Sequence, residues 1–307
     1  MSMYVNITKN LCEANYITHG GIFHGDEVFA TVILAKVAKL QGKDFKLARV
    51  FKVPENLSDD VIVYDIGGGA FDHHQKGGNG VRMNEVPYAS CGIVWREFGD
   101  ILTADSPNPN LVWSIVENTL IQGVDAVDNG SLPKMDYPAR VLSVSSFIST
   151  FNPLWDSCEE SDEAFKKAVT MAEIIFDNVL ESAKAKARAE KLIEDAIEKS
   201  EGGVMVLERF APWQEFIFSS ANPKAKDIFF VVFPSNRGGY NWQGVPECPG
   251  SFNLRKPTPQ EWWGLPIHEL KKVTGIATAT FCHNNGFLGA AETLEDTIKM
   301  ARLAVRE

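Results

Sequence analysis

A chain of 307 residues with 45% hydrophobic and 23% charged side chains is long enough to bury two cores and has the balance of an ordinary globular protein. Its formal net charge of −10 argues against a general affinity for nucleic acid. It leaves a nucleic-acid substrate open, because a carboxylate-rich site carries negative charge that bound cations offset. No apolar run approaches the roughly 20 residues that span a bilayer, and residues Met1 to Asn10 lack the pattern of a signal or transit peptide. A cytoplasmic protein with no membrane partner is the expectation. Cys12, Cys91, Cys158, Cys248 and Cys282 are scattered without C-x-x-C spacing, which predicts reduced, mostly buried thiols rather than disulfides or a zinc ribbon.

In chain order, Asn15 to His19 reads as a strand ending on a histidine, and Glu27 to Leu40 has apolar residues at helical spacing. Phe45 to Val50 and Val61 to Asp65 are further strand candidates, with helical stretches around Tyr88–Phe98 and Leu111–Val127. Strands alternating with helices predict an α/β fold built on a largely parallel sheet, with ligands beyond the carboxyl ends of its strands, where His19 and Asp65 fall. From 161 to 199 Ala, Glu and Lys dominate without Gly or Pro, predicting a long connecting helix stopped by Gly202 and Gly203. Strands follow at Val204–Glu208, Ile228–Pro234 and Ile276–Cys282, and a last helix runs from Thr293 to Val305 with Thr293 as N-cap and Asp296 completing a capping box. The segment Arg237 to Pro266, rich in Gly, Pro and Trp, reads as an irregular surface loop. The expected organisation is a catalytic domain over 1–160, a linking helix over 161–200 and a smaller α/β substrate-binding domain over 201–307.

Three clusters in the first half carry chemistry. THGGIFHGDE supplies His19, His24 and Asp26 at a strand-to-helix turn; YDIGGGAFDHHQ supplies Asp65, Asp72, His73 and His74; GVDAVDNG supplies Asp125 and Asp128 at a helix end. Each alone has an ordinary explanation, such as a solvated turn histidine or an Asn-Gly helix terminus. Together they place four of the six histidines within 56 residues, each near a carboxylate at a strand-to-loop boundary, a concentration of charge that is costly to bury unless paired or bound to metal. Imidazole and carboxylate ligands without thiolate suit Mn²⁺, Mg²⁺ or Fe²⁺ better than structural zinc, and the number of side chains is about that needed for two cations sharing a carboxylate.

These clusters, and FDHHQ most directly, resemble the DHH phosphoesterase superfamily. The finer match, carried by THGGIFHGDE, FDHHQ, VDAVDNG, WWGL and FCHNNGFLG in that order, is to its melanocyte proliferating gene one branch, sometimes labelled metal-dependent protein hydrolase, and it runs from about Ile17 to Ala301. The resemblance implies an N-terminal DHH-type domain, a linking helix and a C-terminal domain that closes substrate over the metals. It assigns metal roles to His19, Asp26, Asp65, Asp72 and Asp125, with His73 also near a cation. Many superfamily members carry an aspartate where His24 stands, so the histidine retunes the choice of metal rather than abolishing the site. The resemblance also points to 3′-to-5′ exonuclease action on RNA.

The chemistry expected of such a set is hydrolysis by a water held between two divalent cations, Mn²⁺ first with Mg²⁺ or Fe²⁺ as alternates. Asp65 is the candidate bridging carboxylate, and His74 the group that contacts the scissile phosphate or protonates the leaving oxygen. In the second half Arg255, Lys256, His283, Asn284, Asn285 and Gly286 are the candidates for substrate contact, and Trp242, Trp262 and Trp263 divide evenly between base-stacking and core roles. Alternatives are a phosphoesterase for short oligonucleotides or a phosphorylated small molecule and, in a different class, a non-catalytic metal-containing binding module. A homodimer through the long helix fits the pattern without being required by it.

Overall fold

The computed structural model describes residues 5–131 and 141–306. It divides into two compact units, residues 1–187 and 188–307.

The first unit is built on four strands, β1 (Asn6–Ile7), β2 (Tyr16–His19), β3 (Lys46–Val50) and β4 (Ile62–Val63), in the order β1-β3-β2-β4. All three pairings are parallel, as the alternation of strands and helices predicts. Helix α1 (Gly25–Leu40) links β2 to β3 and is buried along nearly its whole length, which is why its sequence is apolar on every side. Helix α2 (Ser90–Thr103) packs against α1. Asn108 accepts a hydrogen bond from the Leu111 N–H and Pro109 takes the first helical position, starting α3 (Pro109–Val116). That helix passes through a π-helical turn, Glu117–Ile121, into α4 (Gln122–Asp128). A short α5 (Val144–Ser149) and the long α6 (Ser161–Glu198) follow, and residues of α6 up to 187 belong to this unit. Phe23, Phe29, Ile33, Trp95, Phe165 and Phe176 are fully buried in its core.

The second unit has five strands, β5 (Val204–Val206), β6 (Phe230–Pro234), β7 (Tyr240–Gly244), β8 (Ala279–Cys282) and β9 (Leu288–Ala291), ordered β5-β6-β7-β9-β8. Only β5 and β6 pair in parallel. Helices α7 (Gln214–Ser219), α8 (Ile267–Thr274) and α9 (Leu294–Arg306) complete it, and Thr293 Oγ1 accepts from the Asp296 N–H as the capping pattern predicts. The reading of Arg237 to Pro266 as an irregular loop is overturned: Tyr240–Gly244 is the middle strand of the sheet. Its signal is hidden because one large side chain fills the space of a missing one. Trp242 is fully buried opposite Gly289, where an added Cβ would lie 2.3 Å from the indole.

Among the described residues no helix is long and apolar enough to cross a membrane. All five cysteines are free thiols; Cys91 and Cys282 are buried, but Cys12, Cys158 and Cys248 are exposed, against the expectation of general burial.

Candidate metal centre

Parallel strands deliver their carboxyl ends to one edge of the sheet, and the site begins there. His19 closes β2, with Nε2 2.9 Å from Glu27 Oε1 and 3.2 Å from Asp65 Oδ2. The turn that follows is held by its neighbours. Arg49 and Ser161 donate to the Gly21 carbonyl, and Asn152 both accepts from the Phe23 N–H and donates to its carbonyl. His24 caps α1, and the buried Glu27 side chain accepts from the His24 N–H at 2.9 Å. The imidazoles of His19 and His24 come within 6.0 Å of each other, centre to centre.

Asp26, fully buried one residue before Glu27, faces the start of α2. The Cys91 N–H donates to its Oδ1 at 2.7 Å and the Ser90 N–H to its Oδ2 at 3.1 Å. The next amide, of Gly92, donates to Asp125 Oδ1 at 2.9 Å. A helix N-terminus leaves these donors free and carries partial positive charge, so it holds both carboxylates where solvent cannot reach them.

Asp65 stands between two sets of groups. Just beyond β4, it takes a left-handed backbone conformation, φ 56°, uncommon for a residue other than glycine, and accepts from Ser90 Oγ at 3.1 Å. Oδ2 points to His19, while Oδ1 lies 3.3 Å from His73 Nε2. His73 Nε2 also approaches Asp128 Oδ2 at 3.2 Å and Asp26 Oδ2 at 3.9 Å. This nitrogen is buried yet makes no well-directed hydrogen bond, although three carboxylates surround it. An imidazole nitrogen orphaned among carboxylate oxygens has the donor set of a divalent cation site and little use as a structural group. Among the described residues these ligand atoms form four groupings. Asp65 offers one oxygen toward His19, His24 and Glu27 and the other toward Asp26, His73 and Asp128; it also groups with His73 and His74, while Asp26, Cys91 and Asp125 make the fourth.

Charge reflects this crowding. Burial would lower the His19 and His73 pKa values, but the neighbouring carboxylates override it, with Asp65 and Glu27 raising His19 to about 10 and Asp128 and Asp65 raising His73 to about 11. Burial would raise Asp65; His19 and His73 instead hold it below the carboxylate range. Asp26 is pushed well up, first by burial and then by repulsion from Asp65, Asp128 and Asp125.

The remaining predicted residues divide. The Asp72 carboxylate accepts from the Gly68 N–H at 2.6 Å, the His74 N–H at 3.1 Å and His74 Nδ1 at 2.7 Å, so it orients His74 at the edge of the cluster. These bonds hold Asp72 below its ordinary pKa despite burial. His74 is 61% exposed and, with His19, His24, Asp65 and Asp72, lines a cleft of about 420 Å³. Asp125 is fully buried; beside its bond to Gly92 it accepts from Arg82 Nη2 at 2.7 Å, whereas Asp128, one turn on, reaches His73. Glu27, Ser90 and Arg82 escaped the sequence reading. Glu27 alone carried a signal, three residues after a turn histidine in the capping-box position.

The family model MYG1_exonuc, described as "Uncharacterised protein family (UPF0160)", matches residues 15–305. The chain belongs to this family. It is the branch that the ordered sequence signatures resemble. Among MYG1 relatives, the human protein named MYG1 exonuclease is 30% identical over 94% of this chain and 85% of its own. The mouse MYG1 exonuclease is 30% identical over 94% and 84%, and the Dictyostelium discoideum MYG1 protein 28% identical over 92% and 94%. No solved structure matches the chain.

The MYG1 match also spans the second unit, where the predicted substrate contacts have structural partners of their own. Arg255 Nη1 donates to the carbonyls of Ala225 and Ile228 at 2.6 and 3.2 Å, and its guanidinium lies over Phe218, which ties it to the fold of that unit. Lys256 beside it is half-buried. His283 Nδ1 accepts from the Asn285 N–H at 3.1 Å and the ring packs at a tilt against Phe287, with Asn284 and Asn285 exposed in the turn. Gly286 has φ 68°, and a Cβ there would lie 2.1 Å from Trp263 Nε1, so packing demands it. Trp242 and Trp262 are buried in the core, and Trp263 donates to Thr258 Oγ1 at 2.9 Å, which resolves the even choice in favour of packing.

Proposed function

We propose that this chain is a metal-dependent phosphodiester hydrolase that shortens RNA from the 3′ end. The observation that carries the reading is Asp65, whose two oxygens face two separate histidine–carboxylate groupings. His19, His24 and Asp65 would hold one cation, and Asp26, Asp65, His73 and Asp128 the other, with Glu27 orienting His19 from behind. Two divalent cations there, Mn²⁺ before Mg²⁺ or Fe²⁺, supply Lewis acidity and a nucleophile at neutral pH. The protein's own part is to fix those side chains, to line a cleft of about 420 Å³ beside them, and to present His74. Asp72 binds His74 Nδ1 and so orients the ring that would donate a proton to the leaving oxygen. The names of the human and mouse relatives support exonuclease action.

The test is digestion of end-labelled single-stranded RNA with Mn²⁺ by the wild type and by Asp65→Asn. A ladder shrinking from the 3′ end, lost in the variant, is expected. Absence of cleavage at any RNA length overturns the exonuclease reading and turns attention to dinucleotides and phosphorylated metabolites.

A further inference from the structure

Arg82 lies in the segment between the Asp-His-His run and α2, at a bridge that pairs Val81 with Pro87. Its side chain is 5% exposed, a rare state for an arginine, and each of its three nitrogens donates a hydrogen bond. Nε donates to Glu117, Nη2 to Asp125 at 2.7 Å and Nη1 to the Pro87 carbonyl at 3.2 Å, while the guanidinium plane lies 4.0 Å over Tyr88. Glu117 and Asp125 sit on one continuous helical segment, Glu117 opening the π-helical turn and Asp125 in α4. A π-turn inserts extra backbone and shifts the face that later residues present; such turns cluster at functional sites. Arg82 bridges the helix across this turn.

The other Asp125 oxygen takes the Gly92 N–H, and a Cβ at Gly92 would come within 1.8 Å of Asp125 Oδ2 and 2.5 Å of Arg82 Nη2. The three groups therefore interlock with the N-terminus of α2, whose preceding amides hold Asp26. One turn after Asp125, on the same helix face, Asp128 reaches His73.

We propose that Arg82 is a positioning residue of the metal centre: by pinning Asp125 across the π-turn it sets where Asp128 and Asp26 stand. It touches neither metal nor substrate, and the inference rests on the metal reading above. A planar five-donor fork suits this role, whereas a lysine ammonium keeps the charge but cannot span Glu117 and Asp125 with fixed geometry.

Mn²⁺ titration by calorimetry on the full chain tests it, comparing wild type, Arg82→Lys, Arg82→Met, Asp128→Asn and the Arg82→Lys/Asp128→Asn double variant. Arg82→Lys, which keeps the buried cation, is expected to fold with unchanged circular dichroism and to bind Mn²⁺ about 10- to 100-fold more weakly, the scale of loss when the groups that orient metal ligands are disturbed. Arg82→Met should lose at least as much. Because Arg82 acts through the placement of Asp128, the double variant should be little weaker than Asp128→Asn alone. Wild-type affinity in Arg82→Lys, or losses that simply add in the double variant, would overturn the positioning role while leaving the metal reading intact. A wild type that binds no Mn²⁺ overturns the metal reading, and the inference with it.

Discussion

His73 and His19 are held as cations by the carboxylates around them, and that has a measurable sign. Their folded pKa values, about 11 and about 10, lie above the ordinary 6.5, so the native state binds their protons more tightly than the unfolded chain does. This contribution is complete below about pH 6.5 and is lost as pH rises toward 10 and 11. In EDTA, thermal unfolding should therefore occur at progressively lower temperature from pH 6.5 upward. A cation must displace the same protons, so Mg²⁺ affinity should climb over that range, with proton release visible as a dependence of the calorimetric heat on buffer. A melting temperature in EDTA that stays flat across this range would contradict the pairing of these imidazoles with Asp65, Glu27 and Asp128. His19, Asp65 and His73 were legible in the sequence because histidine and aspartate beyond strand ends have few other uses, whereas Glu27 was not. The distinction between Asp125 and Asp128 was not, since three residues apart on one helix both face inward, and only the position of Arg82 decides which of them is engaged elsewhere.

At the scale of elements, the start of α2 is packed against carboxylates so closely that it tolerates no side chain at position 92. Gly92→Ala should cost about 1–3 kcal/mol, as overpacking typically does, and should weaken Mn²⁺ binding as well. Gly123→Ala is the control: it lies in the neighbouring α4 with no atom within 4 Å of an added Cβ, and should gain up to about 1 kcal/mol of helix propensity. Equal effects in chemical denaturation would reject the interlock. Most elements of the first unit were legible because parallel strands and their helices carry long apolar patterns. The π-turn was not, because a one-residue shift of the apolar face confined to Glu117–Ile121 still reads as part of one helix. In the second unit β7 was lost for a different reason: the buried face of Tyr240–Gly244 is supplied mainly by Trp242 against Gly289, a pairing across strands that no local pattern contains.

Over the whole molecule, the net charge of −10 takes on a local meaning, since Asp26, Glu27, Asp65, Asp125 and Asp128 gather at one site. Cations bound there relieve repulsion in the native state only, so Mn²⁺ at 100 times its dissociation constant should stabilise the chain by about 2.7 kcal/mol. The melting temperature should rise by several degrees in the wild type and not in Asp65→Asn, and an equal rise in both would place the bound metal elsewhere. The same site contains a thiol whose chemistry is unused. Cys91 holds Asp26 through its main-chain N–H, and its sulfur is fully buried with a pKa raised by burial. Peroxide or an alkylating agent should therefore spend itself on the exposed Cys12, Cys158 and Cys248 and leave the centre competent. An enzyme with this arrangement would keep working under oxidative stress that silences thiol-dependent hydrolases, and it could be labelled at its surface cysteines without loss of function.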